Sequence, residues 1–132
     1  MDVSKLRFTP THEWVRLNGD KAVVGITDHA QKEISDVVFV ELPKIGRALK
    51  AKEAAMVVES VKAAFDIYAP VSGTVVRANE KLKDSPELVN RSPYEAGWLF
   101  EIECSDPSEV ANLLTEDQYS RSGSESRPYT AH

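Results

Sequence analysis

Two strand patterns that meet at one short turn, within residues 54–76, constrain the fold of this chain most strongly. Residues 54–59 contain a β-branched apolar pair, and residues 64–68 alternate apolar and polar side chains. Pro70 ends the second pattern because proline has no N–H to donate to a ladder. The segment therefore predicts a β-hairpin with Lys62 at its turn. Small neighbours leave this lysine accessible to another protein, as a lysine that carries an acyl group has to be.

The rest of the chain predicts many short strands and only short helices. Asn18–Gly19 between two apolar runs is a strong hairpin signal, and Trp14 is expected in the core beneath that hairpin. Residues 37–40, VVFV, predict a buried strand. Further strands are expected at 5–8, 12–17, 21–26, 47–49, 74–79 and 98–104. Short helices are expected at 28–34 with Thr27 or Asp28 as cap, from Ser85 to about residue 90, and after Pro107 with Val110, Leu113 and Leu114 as apolar stripe. This pattern predicts an all-β sandwich or flattened barrel.

Length and charge limit the classes of protein that remain. A chain of 132 residues suits one domain, expected at residues 1–119, because residues 120–132 have little apolar content and predict a flexible tail. A net charge of −5 disfavours nucleic-acid binding, and no apolar run is long enough to span a membrane. The first residues resemble neither a secretory signal nor a transit segment, which predicts a cytoplasmic protein or a mature organellar form.

The residues that most often carry chemistry form no catalytic or metal-binding constellation in the sequence. There is no nucleophile elbow, phosphate loop or dinucleotide fingerprint, and Glu101 and Glu103 are expected on a solvated strand face. Cys104 is the single cysteine, which excludes an internal disulfide and predicts a small buried residue. The three histidines, at positions 12, 29 and 132, have no zinc-site spacing. No catalytic residue and no metal site is predicted, and from its position alone Lys62 would only solvate an edge.

The surroundings of Lys62 change that interpretation. Glu59, Ser60, Val61 and Ala63 flank the lysine as ESVKA, and this segment resembles the lipoyl-attachment site of the glycine cleavage system H protein family. Further segments resemble the same family in the same order, over roughly residues 5–119: FTPTHEWV (8–15), VGITDHAQ (24–31), DVVFVELP (36–43), YAPVSG (68–73), DSPELVN (84–90), PY (93–94) and GWLF (97–100).

The resemblance implies a fold and a function. The fold is a barrel-sandwich hybrid: two antiparallel sheets, with short peripheral helices and the modified lysine on a hairpin turn. Lys62 would carry covalent lipoate as N6-lipoyllysine, attached by a ligase or transferase. The chain would be a shuttle and not an enzyme, a monomer, in the bacterial cytoplasm or the mitochondrial matrix. Its partners would be a pyridoxal-phosphate glycine decarboxylase that loads an aminomethyl group, a tetrahydrofolate-dependent aminomethyltransferase that removes it, and dihydrolipoyl dehydrogenase.

The resemblance also implies a shelter for the loaded arm, at Thr11, Glu13 and Asp66 of this sequence. Without the resemblance, the two acids would be read as ordinary surface residues. Three positions depart from the family pattern: Ser35 and Lys52 stand where glycine is usual, and Phe65 stands where a small polar residue is usual. The expectation is that the two turns differ in detail and that Phe65 alters the cleft of the arm.

Other carrier functions are the alternatives. A biotinyl domain usually has methionines beside its lysine, where this chain has Val61 and Ala63. Lipoyl domains of 2-oxo acid dehydrogenase complexes usually have Asp before the lysine and Pro/Ala-rich linkers. A relay that donates lipoyl groups to other enzymes, and a binding module with Lys62 unmodified, stay open.

Overall fold

The computed structural model of this chain describes residues 5–122, and residues 1–4 and 123–132 lie outside the described part. Nine strands run in the order β1 (Arg7–Phe8), β2 (Glu13–Asn18), β3 (Lys21–Ile26), β4 (Val37–Glu41), β5 (Ala48–Leu49), β6 (Ala54–Ser60), β7 (Ala64–Tyr68), β8 (Gly73–Ala78) and β9 (Phe100–Cys104). Five short helices accompany them in this range: α1 (Asp28–Ile34), α2 (Lys81–Asp84), α3 (Leu88–Arg91), α4 (Ser108–Ala111) and α5 (Glu116–Ser122).

The strands form two antiparallel sheets. The large sheet has the order β1-β2-β3-β9-β8-β5, and the small sheet has the order β4-β6-β7. Side chains from both sheets and from α1 form the main core, with Val24, Ile34, Val58, Ile67 and Ile102 among its buried residues. The fold is therefore the predicted barrel-sandwich arrangement, without a closed barrel. The hairpin that carries Lys62 is the β6–β7 pair of the small sheet.

Local sequence explains the two elements that lead to the site. Trp14 on β2 is fully buried opposite Gly25 on β3, where an added Cβ would lie 2.4 Å from the indole ring. Its indole N–H donates to the Pro93 carbonyl at 3.0 Å, which satisfies the only polar group of the side chain. Helix α1 begins as predicted, because the Thr27 hydroxyl accepts the Ala30 N–H at 3.2 Å.

Strand β4 is only partly buried, contrary to prediction. Val38 and Phe39 are 55% and 52% exposed. The strand lies at the edge of the small sheet, and its pairing with β6 is irregular between Val37 and Phe39. Such a bulge re-aims side chains, so a run of four apolar residues does not stay on one buried face.

The helices after residue 80 also differ from the prediction. Ser85 makes no side-chain cap, since α3 begins only at Leu88 and α2 precedes it. The expected terminal helix is divided into α4 and α5, because Leu114 pairs with Phe8 instead of continuing the helix. Helix α5 runs to Ser122, so the predicted tail boundary at residue 120 falls inside this helix. The rest of the predicted tail, residues 123–132, lies outside the described residues.

Two single residues test the expectations for β9. Glu101 is buried, not solvated, because the Arg77 guanidinium donates to it at 2.7 Å and itself lies over the Trp98 ring. Cys104 is buried as expected, and burial raises the pKa of its thiol.

The described residues hold neither a membrane-spanning helix nor a metal cluster. None of the helices within residues 5–122 has the length and apolar content needed to cross a bilayer. Over the same range, no group of His, Cys, Asp and Glu side chains has a metal-binding arrangement. His12 and His29, whose spacing suggested no relation, nevertheless lie with their rings 4.6 Å apart.

Candidate functional site

Lys62 lies on the short turn, residues 61–63, that joins β6 to β7. The Ser60 N–H donates to the Ala63 carbonyl at 2.9 Å and closes the turn. The Ser60 hydroxyl accepts the backbone N–H groups of Lys62 and Ala63 at 3.0 and 3.4 Å. Neither Val61 nor Lys62 has a positive φ, so the turn requires no glycine. Ser60 therefore fixes the backbone, and the next two side chains extend into solvent.

A neighbouring loop supports the same turn from the side. The Val61 N–H donates to the Asp36 carbonyl at 3.0 Å. The Lys62 ammonium group donates to the Glu33 carbonyl at 3.0 Å, near the C-terminus of α1. A cation is favoured there, because the last carbonyls of a helix carry partial negative charge. The lysine is exposed and its backbone is held on two sides.

The sequence of the small sheet sets Lys62 apart from other amines. Its strands contain three carboxylates, Glu41, Glu59 and Asp66, and no Lys or Arg. Lys62 is the only basic residue between positions 54 and 68. An enzyme that engages this hairpin therefore meets one amine. The predicted recognition residues Glu59, Ser60, Val61 and Ala63 all lie on the turn or at the strand ends beside it.

Glu13 is a fully buried carboxyl, so its reading as an ordinary surface residue is wrong. The hydroxyls of Thr9 and Thr11 donate to its Oε1 at 2.6 and 2.5 Å, and the Tyr68 N–H donates to its Oε2 at 3.3 Å. Burial raises the pKa of Glu13 to about 7, although these hydrogen bonds favour the charged form. Near neutral pH this carboxyl is poised between its two protonation states, and a cation nearby would favour the ionised one.

The Glu13 carboxyl borders a cavity of about 760 Å³. The polar residues of its wall are Thr9, Thr11, Glu13, Lys52, Tyr68, Glu109 and Asn112. Apolar side chains complete the wall, among them Phe8, Pro10, Ala69, Pro70, Leu113 and Leu114. Three side chains that can carry a charge, Glu13, Lys52 and Glu109, lie in this otherwise mainly apolar wall. Such a cleft suits a long apolar arm with a polar end.

Asp66 lies between the lysine turn and this cavity. It is half-buried on β7, on the same face as Tyr68, because alternate residues of a strand share a face. The five residues of β7, Ala64–Tyr68, span four steps of the strand and therefore roughly 13 Å. The structure therefore brings Thr11 and Glu13 into contact and places Asp66 on β7, between Lys62 and Tyr68 in the chain.

The three departures from the family pattern have different consequences. Phe65 is buried in the core on the opposite face of β7 from Asp66, so the expectation that it alters the cleft is wrong. Ser35 and Lys52 have φ values of 76° and 75°, which is the conformation that favours glycine. Both turns therefore keep a left-handed backbone without the glycine. Lys52 also lines the cavity.

Sequence reasoning missed Thr9, Tyr68 and the cavity wall at residues 112–114. Thr9 is the Glu13 partner that the segment FTPTHEWV (8–15) could have suggested, since it lies four residues before the acid. The wall could not be inferred, because it forms by long-range pairing of Leu114 with Phe8.

Comparison with known proteins identifies the family of this chain. The sequence profile of the glycine cleavage H-protein family matches residues 6–126. The glycine cleavage system H protein of Endomicrobium trichonymphae is 57% identical over 114 residues, covering 86% of this chain and 92% of that protein. The homologues of Vibrio vulnificus and Geobacillus thermodenitrificans are each 56% identical over 115 residues, covering 86% and 87% of this chain and 91% of each protein.

A solved structure agrees in fold. The crystal structure of a glycine cleavage system H protein from Mycobacterium marinum superposes with a TM-score of 0.83 at 35% identity, covering 92% of this chain and 98% of that one. The profile match spans nearly the whole chain as one unit, which argues against a biotinyl domain or a domain of a 2-oxo acid dehydrogenase complex. The chain belongs to the glycine cleavage H-protein family.

Proposed function

We propose that this chain is the lipoyl-carrying shuttle of the glycine cleavage system, with lipoate attached to Lys62 through an amide. The observation that carries the proposal is the single exposed amine on a turn whose backbone is held by Ser60 and by Asp36. When bound, the lipoyl group supplies a disulfide that can be reduced and reoxidised and that carries an aminomethyl group between enzymes. The chain itself supplies display, orientation and shelter.

The residues of this chain would act in two places. Around Lys62, the turn from Glu59 to Ala63 presents the amine to a lipoate-attaching enzyme. Acylation removes the charge that now binds the Glu33 carbonyl, so the side chain loses part of its attraction to α1. The arm is then less strongly held at the turn and can extend along β7 toward the cavity.

At the cavity, Glu13 would receive the cationic amine at the end of the arm. A charge-assisted hydrogen bond contributes roughly 1.5–3 kcal/mol, which corresponds to about a ten- to hundredfold change in the docked population. Thr9 and Thr11 orient the carboxyl, and Asp66 adds negative charge on the path from Lys62. The apolar wall limits the access of water.

The proposed partners follow from the family. They are a pyridoxal-phosphate glycine decarboxylase, a tetrahydrofolate-dependent aminomethyltransferase and dihydrolipoyl dehydrogenase, met by a monomeric carrier. The relatives compared above are bacterial, which supports a bacterial cytoplasmic location.

Mass spectrometry of the natively expressed protein tests the attachment site. We expect a lipoyl amide on the peptide that contains Lys62 and on no other peptide. Lys62→Arg keeps the charge but offers no amine for acylation, so it should abolish both lipoylation and glycine decarboxylation. Lys44→Arg, at an exposed site outside both the turn and the cavity, is the matched control and should leave both unchanged. Decarboxylation by the Lys62→Arg protein at the wild-type rate would contradict the proposal.

The shelter has its own test. Glu13→Gln and Asp66→Asn keep the side-chain shape and remove the charge. Both variants should accept lipoate normally, because neither residue lies on the turn. After loading, they should release ammonia faster than the wild type when the aminomethyltransferase is absent. Wild-type release rates from both variants would show that these acids do not hold the amine.

A further inference from the structure

We infer that Tyr119 and His12 are positioning residues for Glu13, and that residues 112–119 strap the Thr9–Glu13 loop into the conformation that buries this carboxyl. The biological meaning of the inference rests on the proposed function, in which Glu13 receives the amine. The contacts from which it is argued all lie within this chain and do not depend on that function.

The Thr9–Glu13 loop has a backbone conformation that is unfavourable without contacts to the rest of the fold. His12 has a φ of 73°, which costs a residue other than glycine roughly 1–2 kcal/mol. The chain reverses there, with the His12 N–H donating to the Thr9 carbonyl at 3.1 Å and the Thr9 N–H donating to the Glu13 carbonyl at 2.9 Å. This reversal brings the Thr9 and Thr11 hydroxyls to the same oxygen of Glu13. The carboxyl therefore depends on the backbone at His12.

The side chain of His12 is the anchor of that backbone. It is 1% exposed, and its Nδ1 lies 2.6 Å from the Tyr119 hydroxyl in a hydrogen bond. The same hydroxyl lies 2.9 Å from the hydroxyl of Thr27, the residue that caps α1. The Thr27 N–H in turn donates to the His12 carbonyl at 3.0 Å. One phenol thus links α5, the loop and the start of α1.

The segment that supplies Tyr119 also forms a wall of the cavity. Leu114 and Phe8 exchange two backbone hydrogen bonds of 2.8 Å, and the Tyr119 ring stacks on Phe8 at 4.7 Å between centroids. Asn112, Leu113 and Leu114 line the cavity that Glu13 borders. Thr115 and Gln118 begin α5 with reciprocal hydrogen bonds between side chain and backbone. Loosening the strap would therefore release the Thr9–Glu13 loop and, at the same time, admit water to the Glu13 carboxyl.

Tyr119→Phe in the unmodified full chain tests the inference. The substitution removes the hydroxyl and keeps the ring on Phe8. The readout is the pKa of Glu13 from carbon NMR of its carboxyl, which is surrounded by Thr9, Thr11 and the Tyr68 N–H, with Lys52 and Glu109 as the charged residues lining the cavity. We expect this pKa to fall toward its ordinary value by at least about half a unit, because hydration favours the charged form.

The matched control is Asp117→Asn, which breaks an exposed pair with Arg121 on the same helix and should leave the pKa of Glu13 unchanged. A folded Tyr119→Phe protein in which Glu13 titrates as in the wild type would overturn the inference. So would a pKa shift of equal size in the control, since any loosening of α5 would then suffice.

Native-state hydrogen exchange of the wild type is a second test that requires no variant. The backbone N–H groups of Glu13, Thr27 and Tyr119 donate to Thr9 Oγ1, to the His12 carbonyl and to the Thr115 carbonyl, at 3.0, 3.0 and 2.9 Å. If the strap holds the loop, these amides should open with one free energy and one denaturant dependence. Opening of α5 without the other two would overturn the inference. Neither measurement involves Lys62, so an unlipoylated Lys62 would sink the proposed function and leave this inference standing.

Discussion

Glu13 should make the folded state less stable as the pH rises through neutrality. Its pKa is about 7 in the folded protein and 4.5 in an unperturbed glutamate, and burial is the largest cause of the difference. Between these two values the unfolded chain has released the proton and the folded chain still holds it. The contribution of Glu13 is therefore fully present below pH 4.5 and is lost as the pH rises through about 7.

The structure sets the size of this effect. One pKa unit corresponds to ~1.4 kcal/mol, so the difference between the two values amounts to about 3 kcal/mol of unfolding free energy. The side chain is fully buried, so solvent screening does not reduce the figure. Small domains have a stability of about 5–15 kcal/mol, so this loss is large enough to measure.

Urea unfolding of the unmodified protein at several pH values between 4.5 and 8 is the assay. The stability of the wild type relative to Glu13→Gln should fall by about 3 kcal/mol across this range, because glutamine has no proton to release. Glu103→Gln, at an exposed site on β9, is the matched control and should follow the wild type. Parallel profiles for the wild type and Glu13→Gln would refute the reasoning, since the buried carboxyl would then have no raised pKa.

Three further predictions concern the backbone and the chain end. Ser35 has φ 76° and ψ −163°, a combination that is nearly restricted to glycine, so Ser35→Gly should raise the unfolding free energy by about 1 kcal/mol in urea titrations; no gain would show that the turn is unstrained. Gly25→Ala should lower it by roughly 1–3 kcal/mol, because the new Cβ would overlap the Trp14 ring, and an unchanged melting temperature would contradict this packing. A chain that ends at Ser122 should melt at the full-length temperature, since residues 123–132 have little apolar content to bury. A chain that ends at Thr115 should melt at a lower temperature, because it loses the stacking of Tyr119 on Phe8. Equal melting temperatures for all three chains would mean that α5 does not stabilise the fold.

The lysine hairpin and the sheets were predictable because their signals are local. Strand periodicity, the hairpin at Asn18–Gly19 and the Thr27 cap depend on residues that are neighbours in the sequence. The structure confirms the hairpin and the cap, although the turn consists of Gly19 and Asp20, and Asn18 is the last residue of β2. The terminal helix could not be placed in the same way. Its apolar stripe fits one continuous helix, but a pairing between Leu114 and Phe8, which are far apart in the chain, interrupts it.

The candidate site was likewise predictable only where its signals are local in the sequence. Lys62 and its flanking residues follow from one short segment. The burial of Glu13 does not, because the groups around it come from distant parts of the chain: the Tyr68 N–H donates to its Oε2, and Leu113 and Leu114 line the same cavity. A polar residue next to Trp14 on a strand would ordinarily face solvent. Only the assembled fold buries Glu13. In the same way, the bulge in β4 exposes Val38 and Phe39, which the sequence predicts to be buried.

The fixed turn at Lys62 also decides how tightly the cavity has to bind. With the backbone held by Ser60 and Asp36, the tip of an arm on Lys62 explores a small volume around one point. On the proposed function, docking at Glu13 is then an intramolecular step with an effective concentration in the millimolar range. An intrinsic affinity of ~1 mM, or about 4 kcal/mol, would keep the tip docked roughly half of the time. Such a weak site would protect the cargo in transit and still release it to an active site within the same reach.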